Sequence, residues 1–334
     1  MSPRRPPSPA RSSTPTLYRP PHHRQPMYTS SSAALPPPLS TIRPSPSPAS
    51  QRSPSRSSGG GGGGLPLEVH GDSFASVFTL LKSRARVNKY KGASARGLNN
   101  PASSLQVGEE LLRRVEVTRP RSLLLMFGHV DLHINYLWKA RDHDALRPNE
   151  WVHRVVSDYS NYLSSKIIPL AESTGMRVYI AGVTMPVVGD QYLEFSARKY
   201  IEKEGVGPLS PLSRATQPHD LRTRRAMVKL HNQLLSQFCA HHPALVFVDI
   251  NKYLVSSSDP EKVSQAYVDR EDPTNIHLIW ERTIHFWCRE IDCLRDASPA
   301  KQEEARFERT LEAYRTEKRE RMRRHSITSG LAAT

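Results

Sequence analysis

The sequence has few cysteines and no long apolar run. It contains three cysteines in 334 residues, Cys239, Cys288 and Cys293. Their spacing lacks the C-x-x-C pairs of a zinc site, and three thiols cannot all pair with one another, so we expect reduced cysteines and no metal site. No apolar run approaches the length of a membrane span, and the amino terminus lacks the apolar core of a secretory signal. The composition therefore predicts no transmembrane segment.

Acidic residues are absent from the first 67 positions, where proline, serine and eight arginines dominate and six glycines follow at Gly59–Gly64. So little apolar surface cannot offset the entropy of ordering the chain, which predicts a disordered tail over residues 1–64. An arginine- and serine-rich start also resembles an organelle transit peptide, but dense proline disfavours the amphipathic helix of such peptides. We predict a cytoplasmic location, with organelle import as the alternative.

The formal net charge of +15 lies mainly outside the predicted folded region. Residues 1–67 supply +8 and residues 298–334 supply +3, which leaves an ordinary +4 for the rest. The basic residues are not interleaved with aromatics and match no nucleic-acid-binding module, so we expect no specific nucleic-acid partner. In residues 298–334, opposite charges three or four positions apart predict a solvated helical tail.

Residues 65–297 are expected to form one domain. Short apolar runs near 65–70, 86–91, 122–127, 177–183 and 245–249 read as strands. They alternate with helical patterns near 74–81, 105–117, 151–173, 220–240 and 279–294. This alternation predicts a three-layer α/β/α, flavodoxin-like domain with a mostly parallel five-stranded sheet. The polar, proline-punctuated stretch from Met185 to His219 is predicted to be a long insertion or lid.

Four polar clusters fall at the carboxyl ends of predicted strands or just before the last helix, where ligands bind in open α/β sheets. They are Gly71-Asp-Ser73, Gly92-Ala-Ser94 with the following Arg96–Asn100, Gly128-His-Val-Asp131, and Asp272-Pro-Thr-Asn-Ile-His277. In this order the clusters resemble the sequence blocks of the SGNH (GDSL-type) hydrolase superfamily. The resemblance spans residues 65–295.

The resemblance implies a serine ester hydrolase that forms a covalent acyl-enzyme and needs no cofactor. Its substrate would be a small-molecule, glycan or lipid ester. Ser73 is then the nucleophile and His277 the base that takes its proton. The backbone N–H groups of Ser73 and Gly92 would hold the oxyanion.

The third cluster departs from the family pattern, which is Gly-x-Asn-Asp with a donating asparagine side chain. Val130 stands at that position and has no donor. We expect His129 to contribute to the oxyanion site instead. Asn99 and Asn100 are the other candidate donors, and Asp131 is a supporting residue.

The last cluster departs as well, because the family has an aspartate three positions before the histidine and this chain has Thr274 there. Asp272 lies five positions before His277, and Pro273 could turn it toward the ring. We predict Asp272 as the residue that orients His277. A Ser–His dyad, or help from Asp269, are the alternatives.

Each motif also has a structural interpretation. Ser73 could only cap the first helix, since serine is a favoured N-cap residue, and His277 could be a satisfied core histidine. The His129-Val-Asp131-Leu-His133 run offers metal-ligand types but no second ligand cluster, so no metal is predicted. On the same fold, a binding or scaffold protein with weakened catalysis and an acyltransferase are the alternative functions.

Overall fold

The computed structural model describes residues 66–103, 105–141, 147–201, 211–215, 217–257, 259 and 261–295, and positions 309, 312, 313, 316, 317, 319 and 320. The predicted tail over residues 1–64 lies outside the described residues, as does most of the predicted tail helix over 298–334. The seven described positions of the latter are helical, and Arg319 bonds Glu312 at 2.9 Å. The domain limits stay predictions.

Five strands form one sheet in which all neighbours run parallel, in the order β2-β1-β3-β4-β5. They are β1 (Leu67–Gly71), β2 (Ala85–Lys89), β3 (Ser122–Met126), β4 (Arg177–Ala181) and β5 (Leu245–Val248). Every residue of β1 and β3 is buried, as central strands covered on both faces must be. The predicted parallel sheet is confirmed, and its order is that of flavodoxin-like folds.

The helical elements begin with a 3-10 helix, Ser73–Leu81. The α-helices are α1 (Val107–Thr118), α2 (Tyr136–Arg141), α3 (Pro148–Tyr162), α4 (Ile168–Thr174), α5 (Asp190–Ile201), α6 (Leu221–Ala240), α7 (Asn251–Leu254), α8 (Trp280–Glu290) and α9 (Asp292–Arg295). π-Helical turns occupy Asp131–Asn135 and Leu163–Ile167, and a short 3-10 turn occupies Leu212–Arg214. None of the helices in these ranges combines the length and apolarity that a membrane crossing needs.

The helices cover both faces of the sheet because right-handed crossovers in opposite directions put their helices on opposite sides. The 3-10 helix packs against α8, with the rings of Phe78 and Trp287 5.6 Å apart between centroids. On the other face α3 contacts α6 and α1, and the Tyr162 hydroxyl donates to the Gly108 carbonyl at 2.9 Å. The chain therefore forms three layers.

The sheet order creates a switch point between β1 and β3, because the chain moves outward from β1 to β2 and then crosses back to β3. The loops that follow β1 and β3 diverge there, and such a crevice is where ligands bind in doubly wound sheets. Ser73 follows β1 and Gly128 follows β3, so two of the four sequence clusters lie at this point.

Two elements differ from the sequence-based expectation. The stretch 185–219 contains α5, whose buried Leu193, Ala197 and Ile201 recur every four residues among polar neighbours. The helix predicted over 151–173 contains the π-helical turn Leu163–Ile167. Pro169 explains the irregularity, because it has no N–H to donate to the carbonyl four residues earlier.

Candidate active site

Ser73 lies at the first position of the 3-10 helix, directly after β1. Asp72 is the N-cap residue, and its Oδ1 accepts the backbone N–H of Phe74 at 2.9 Å. Its Oδ2 lies 3.4 Å from the Val130 backbone N–H, which ties the β1 loop to the β3 loop. Complete burial raises the pKa of Asp72 to about 8. Asp72 therefore shapes the turn that presents Ser73, which itself stays half-buried.

Ser73 and His277 meet although 204 positions separate them. The Ser73 Oγ lies 3.0 Å from Nε2 of His277, within hydrogen-bonding range. His277 lies in the segment that precedes α8, and α8 packs on the 3-10 helix that begins at Ser73. Phe74 supports the ring of His277 at a centroid distance of 4.4 Å. A hydroxyl and an imidazole at this distance can exchange a proton.

The other ring nitrogen of His277 faces Asn275. Nδ1 lies 3.2 Å from the Asn275 Oδ1, and the backbone N–H of His277 donates to the same oxygen at 3.0 Å. The Tyr200 hydroxyl donates to it as well, at 3.3 Å. The amide nitrogen of Asn275 donates to Oδ2 of the buried Asp269 at 3.3 Å. Asn275 therefore lies between the histidine and an aspartate.

Asp272 lies elsewhere, although the sequence pattern assigned it the orienting role. Its carboxylate forms a short ion pair with the Lys199 ammonium and accepts the Thr274 hydroxyl at 2.6 Å. It also accepts the Thr274 backbone N–H at 3.2 Å. Pro273 does start a turn, but the turn directs Asp272 toward α5 and leaves Asn275 facing the ring of His277.

The electrostatic surroundings keep His277 neutral. Burial, together with the positive charges of Lys199 and Lys89, lowers the pKa of His277 to about 4. A neutral imidazole can accept a proton from Ser73 at ordinary pH. Among the described residues no carboxylate hydrogen-bonds the ring, so no such bond opposes this lowering of the pKa.

The loop after β2 begins beside the end of β1, because the Tyr90 backbone N–H donates to the Gly71 carbonyl at 2.9 Å. Gly92 has a positive φ of 79°, which favours glycine, and its backbone N–H has no hydrogen-bond partner among the described residues. Asp131 anchors this loop, because its buried Oδ2 accepts the Ala95 N–H at 2.7 Å. Burial raises the pKa of Asp131 to about 6. Asn99, the other predicted supporting residue, is exposed, and the structure shows no contact between it and Ser73.

Among the described residues, no side chain of the third cluster hydrogen-bonds Ser73. Gly128 has a φ of 103°, and Val130 is buried. Nε2 of His129 accepts the Thr184 backbone N–H at 3.1 Å, so Nδ1 carries the ring proton. This buried Nδ1 has no hydrogen-bond partner among the described residues, and it lies 3.9 Å from Oδ2 of Asp72. His133 completes this contact by donating from Nε2 to the Thr184 carbonyl at 3.1 Å. The two histidines thus hold one residue of the loop after β4.

These histidines show no sign of binding a metal. In the ranges that the structure describes, no group of three histidine, cysteine, aspartate or glutamate side chains could hold a metal ion. Burial lowers the pKa of His133 to about 3 and that of His129 well below its ordinary value. Both rings are neutral and bonded to backbone, which is a structural role.

The chain was also compared with known proteins. No protein-family model and no curated protein sequence matches it. Solved structures do match. A GDSL-like lipase from Bacteroides thetaiotaomicron is 11% identical, with 69% of this chain and 88% of that chain covered and a TM-score of 0.37.

Two further matches are an esterase and a lipase. The psychrotrophic esterase EstA from Pseudoalteromonas is 8% identical, with 69% and 96% of the chains covered and a TM-score of 0.35. The extracellular lipase from Streptomyces rimosus is 11% identical, with 68% and 100% covered and a TM-score of 0.36. Likenesses at these TM-scores decide no activity, so the chemistry rests on the geometry of the chain itself.

Sequence patterns missed three residues of the site. Asn275 lies in the last cluster, but the family pattern predicts an acid as the partner of His277. Its signal was the position two residues before the histidine, where an asparagine side chain can bond the backbone N–H. Lys199 and Tyr200 belong to the stretch predicted as an insertion, and no local pattern connects them with His277.

Proposed function

We propose that the chain is a serine ester hydrolase in which Ser73 attacks an acyl carbon and His277 acts as its base. The observation that carries this proposal is the 3.0 Å contact between Ser73 Oγ and His277 Nε2 at the switch point of the sheet. Its support comes from the position of Ser73 at the start of a helical segment, where N–H groups favour developing negative charge.

In the acylation step, the Ser73 Oγ forms a bond to the ester carbonyl carbon while its proton passes to Nε2 of His277. The tetrahedral intermediate collapses, the bond to the leaving alcohol breaks, and the alcohol oxygen takes the proton from Nε2. The product is an acyl-Ser73 ester with a neutral His277. No cofactor is needed.

In the deacylation step, water replaces the alcohol. His277 takes one proton of the water, the hydroxide forms a bond to the acyl carbon, and the proton returns to Ser73 as the acid leaves. The oxyanion of both intermediates would be held by the backbone N–H groups of Ser73 and Gly92. The expected substrates are small-molecule, glycan or lipid esters; an alcohol in place of water would give acyl transfer.

A second candidate is a binding or scaffold protein of the same fold with weakened catalysis. The specific observation in its favour is that Val130 brings no donor and His129 is bonded to Thr184. The loss of one oxyanion donor costs on the order of 100- to 1000-fold in rate. An oxyanion site with two backbone donors can therefore be slow without being inactive.

The test uses the full chain with a fluorophosphonate probe and p-nitrophenyl acetate. Attack by the Ser73 Oγ forms a bond to phosphorus while the P–F bond breaks and the serine proton is lost, so the protein gains the mass of the probe less HF at that serine. We expect labelling and ester hydrolysis by the wild type and neither by Ser73→Ala, because no other group replaces the hydroxyl.

Ser76→Ala is the matched control, since Ser76 lies on the same 3-10 helix and is buried. This variant should be labelled like the wild type. If the wild type takes up no probe and hydrolyses no ester, the esterase proposal is wrong and the scaffold remains. Labelling that survives Ser73→Ala would also contradict it.

A further inference from the structure

We propose that Asn275 is the positioning residue of this site, with its neutral side-chain amide where a serine–histidine–aspartate triad has a carboxylate, and with Asp269 holding the amide. The inference rests on the proposed esterase function for its catalytic meaning. Whether the Asn275 amide determines the tautomer of His277 can be tested without measuring any activity.

The orientation of the Asn275 amide follows from its neighbours. The backbone N–H of His277 can only donate, so the atom that faces it at 3.0 Å must be the amide oxygen. The Asp269 Oδ2, 3.3 Å from the other end, accepts from the amide nitrogen. A flipped amide would place two donors together at one end and two acceptors at the other. The contacts at both ends of the amide therefore support the same orientation, with Oδ1 toward His277 and the nitrogen toward Asp269.

This orientation determines the tautomer of the imidazole. Because the Asn275 Oδ1 accepts at 3.2 Å, Nδ1 of His277 carries the ring proton. Nε2 then presents its lone pair to the Ser73 hydroxyl at 3.0 Å, which is the arrangement that a base needs. Asn275 thus aims the proton acceptor at Ser73 without touching the substrate.

A neutral amide acts differently from a carboxylate. When His277 takes the serine proton, the imidazolium faces the dipole of an amide, and the negative charge of Asp269 lies one residue behind. The Asn275 N–H donates to Asp269, which makes the amide oxygen a better acceptor. The ring is therefore oriented by a neutral hydrogen bond, and it is less basic than a ring beside a carboxylate.

Asp272 does not compete for this role. Lys199 and the hydroxyl and N–H of Thr274 occupy its carboxylate. Lys199 also brings positive charge close to His277, which disfavours the protonated ring. The variant Asp272→Asn therefore tests the acid that the sequence pattern favours, and Asn275→Ala tests the residue that the contacts favour.

The first measurement is the rate of probe labelling and of p-nitrophenyl acetate hydrolysis by the full chain. Asn275→Ala should lower kcat about 100- to 10,000-fold with little change in KM, as expected when a base loses its orientation. Asp272→Asn should lower it far less. Asn275→Asp keeps an acceptor oxygen at this position, so it should retain most of the wild-type rate that Asn275→Ala loses.

The pH profile separates orientation from mere folding. In the wild type, activity should persist on the acid side until the pH falls near 4, where His277 becomes protonated. Asn275→Asp places a negative charge beside the ring and should move this acid limb to higher pH. The double variant N275D/D269N reverses the hydrogen bond between the two positions, removes the repulsion between two carboxylates, and should keep the moved limb with better folding.

The second measurement needs no turnover. Nitrogen-15 chemical shifts of His277, assigned by their loss in His277→Gln, should report the Nδ1–H tautomer in the wild type and in Asp272→Asn. Asn275→Ala should shift the ring toward the Nε2–H tautomer. Circular dichroism and the unfolding midpoint identify any variant that has lost its fold.

The outcomes distinguish this inference from the esterase proposal. Absent labelling of the wild type with an Nδ1–H His277 that depends on Asn275 contradicts the esterase alone. Normal labelling of a folded Asn275→Ala protein, or an unchanged tautomer in it, contradicts the role of Asn275 alone. If Asp272→Asn lowered kcat as much as Asn275→Ala does, Asp272 would be the positioning residue and the inference would be wrong.

Discussion

Val130 is the side chain that would limit the strength of the proposed oxyanion site. It is 3% exposed and occupies the position where the family pattern has a donating asparagine. Its backbone N–H faces Asp72, and its side chain has no polar atom. Val130 therefore contributes packing to the loop after β3, and under the proposed function it would leave the developing charge to other donors.

Val130→Asn should raise the rate of ester hydrolysis about 10- to 100-fold, because it returns a side-chain donor to this position. Burying an amide beside apolar neighbours should cost about 1–3 kcal/mol of stability. The measurements are kcat/KM with p-nitrophenyl acetate and the free energy of unfolding in urea.

Val130→Leu is the control, since it changes volume without adding a donor. A rate no higher than that of the Leu variant would show that the Val130 position does not face the oxyanion. Equal gains in both variants would point to a change in packing instead.

At the scale of the element, α1 is docked on the loop that carries Gly92. A Cβ placed on Gly108 would lie 1.9 Å from the Leu98 carbonyl oxygen and 3.1 Å from the ring of Tyr162. The first turn of α1 therefore presses directly on the backbone of the loop after β2. This close approach holds the loop beside the end of β1.

Gly108→Ala should destabilise the protein by about 3 kcal/mol, since the contact is with backbone that cannot rotate away. Helix propensity alone predicts the opposite, a gain of about 1 kcal/mol from replacing glycine by alanine in a helix. The free energy of unfolding decides between them.

Gly189→Ala serves as the comparison. A Cβ there meets only the side chain of Gln191, at 2.7 Å from Oε1, and that side chain can move aside. Its effect should stay within about 0.5 kcal/mol. Similar values for the two variants would mean that α1 shifts freely over the loop.

At the scale of the whole molecule, several titratable side chains are buried. Burial lowers the pKa of His133 to about 3 and those of His231 and His277 to about 4. It raises the pKa of Asp72 to about 8 and that of Asp131 to about 6. The two sets affect stability in opposite directions.

The histidines bind protons more readily in the unfolded chain, so their contribution to stability is lost as the pH falls from about 6.5 toward 4. The two aspartates hold protons in the folded chain that the unfolded chain releases. Their contribution falls as the pH rises, for Asp72 up to about 8. With His129, four buried histidines oppose the two aspartates. The net free energy of unfolding should therefore decrease as the pH falls below about 6.5.

We therefore expect the free energy of unfolding to reach its maximum at a pH between about 6 and 7 and to decrease on both sides. His231→Gln should make the acid slope shallower by about one proton. His241→Gln, at an exposed position, should leave it unchanged. Urea unfolding at several pH values measures these slopes, and a flat curve from pH 4 to 6.5 would contradict the expectation.

The layers and strand positions could be predicted from the sequence because they follow from local patterns. Leu123–Phe127 is a short continuous apolar run, which is typical of a strand buried on both faces. The buried stripe of α5 was present too, but polar neighbours and prolines on either side obscured it. Apolar periodicity predicts a helix well only where no prolines or dense polar residues nearby favour a loop instead.

The site divides in the same way. The sequence by itself determined that a serine follows the first strand and a histidine precedes the last long helix, because strand ends and motif order are local features. The tertiary structure alone decided which side chain faces the Nδ1 of that histidine. Asp272 and Asn275 are three positions apart, and the turn at Pro273 together with Lys199 on α5 draws the acid away and leaves the amide. Because Lys199 is distant in the sequence, the spacing of residues near His277 could not show that Asp272 pairs with it.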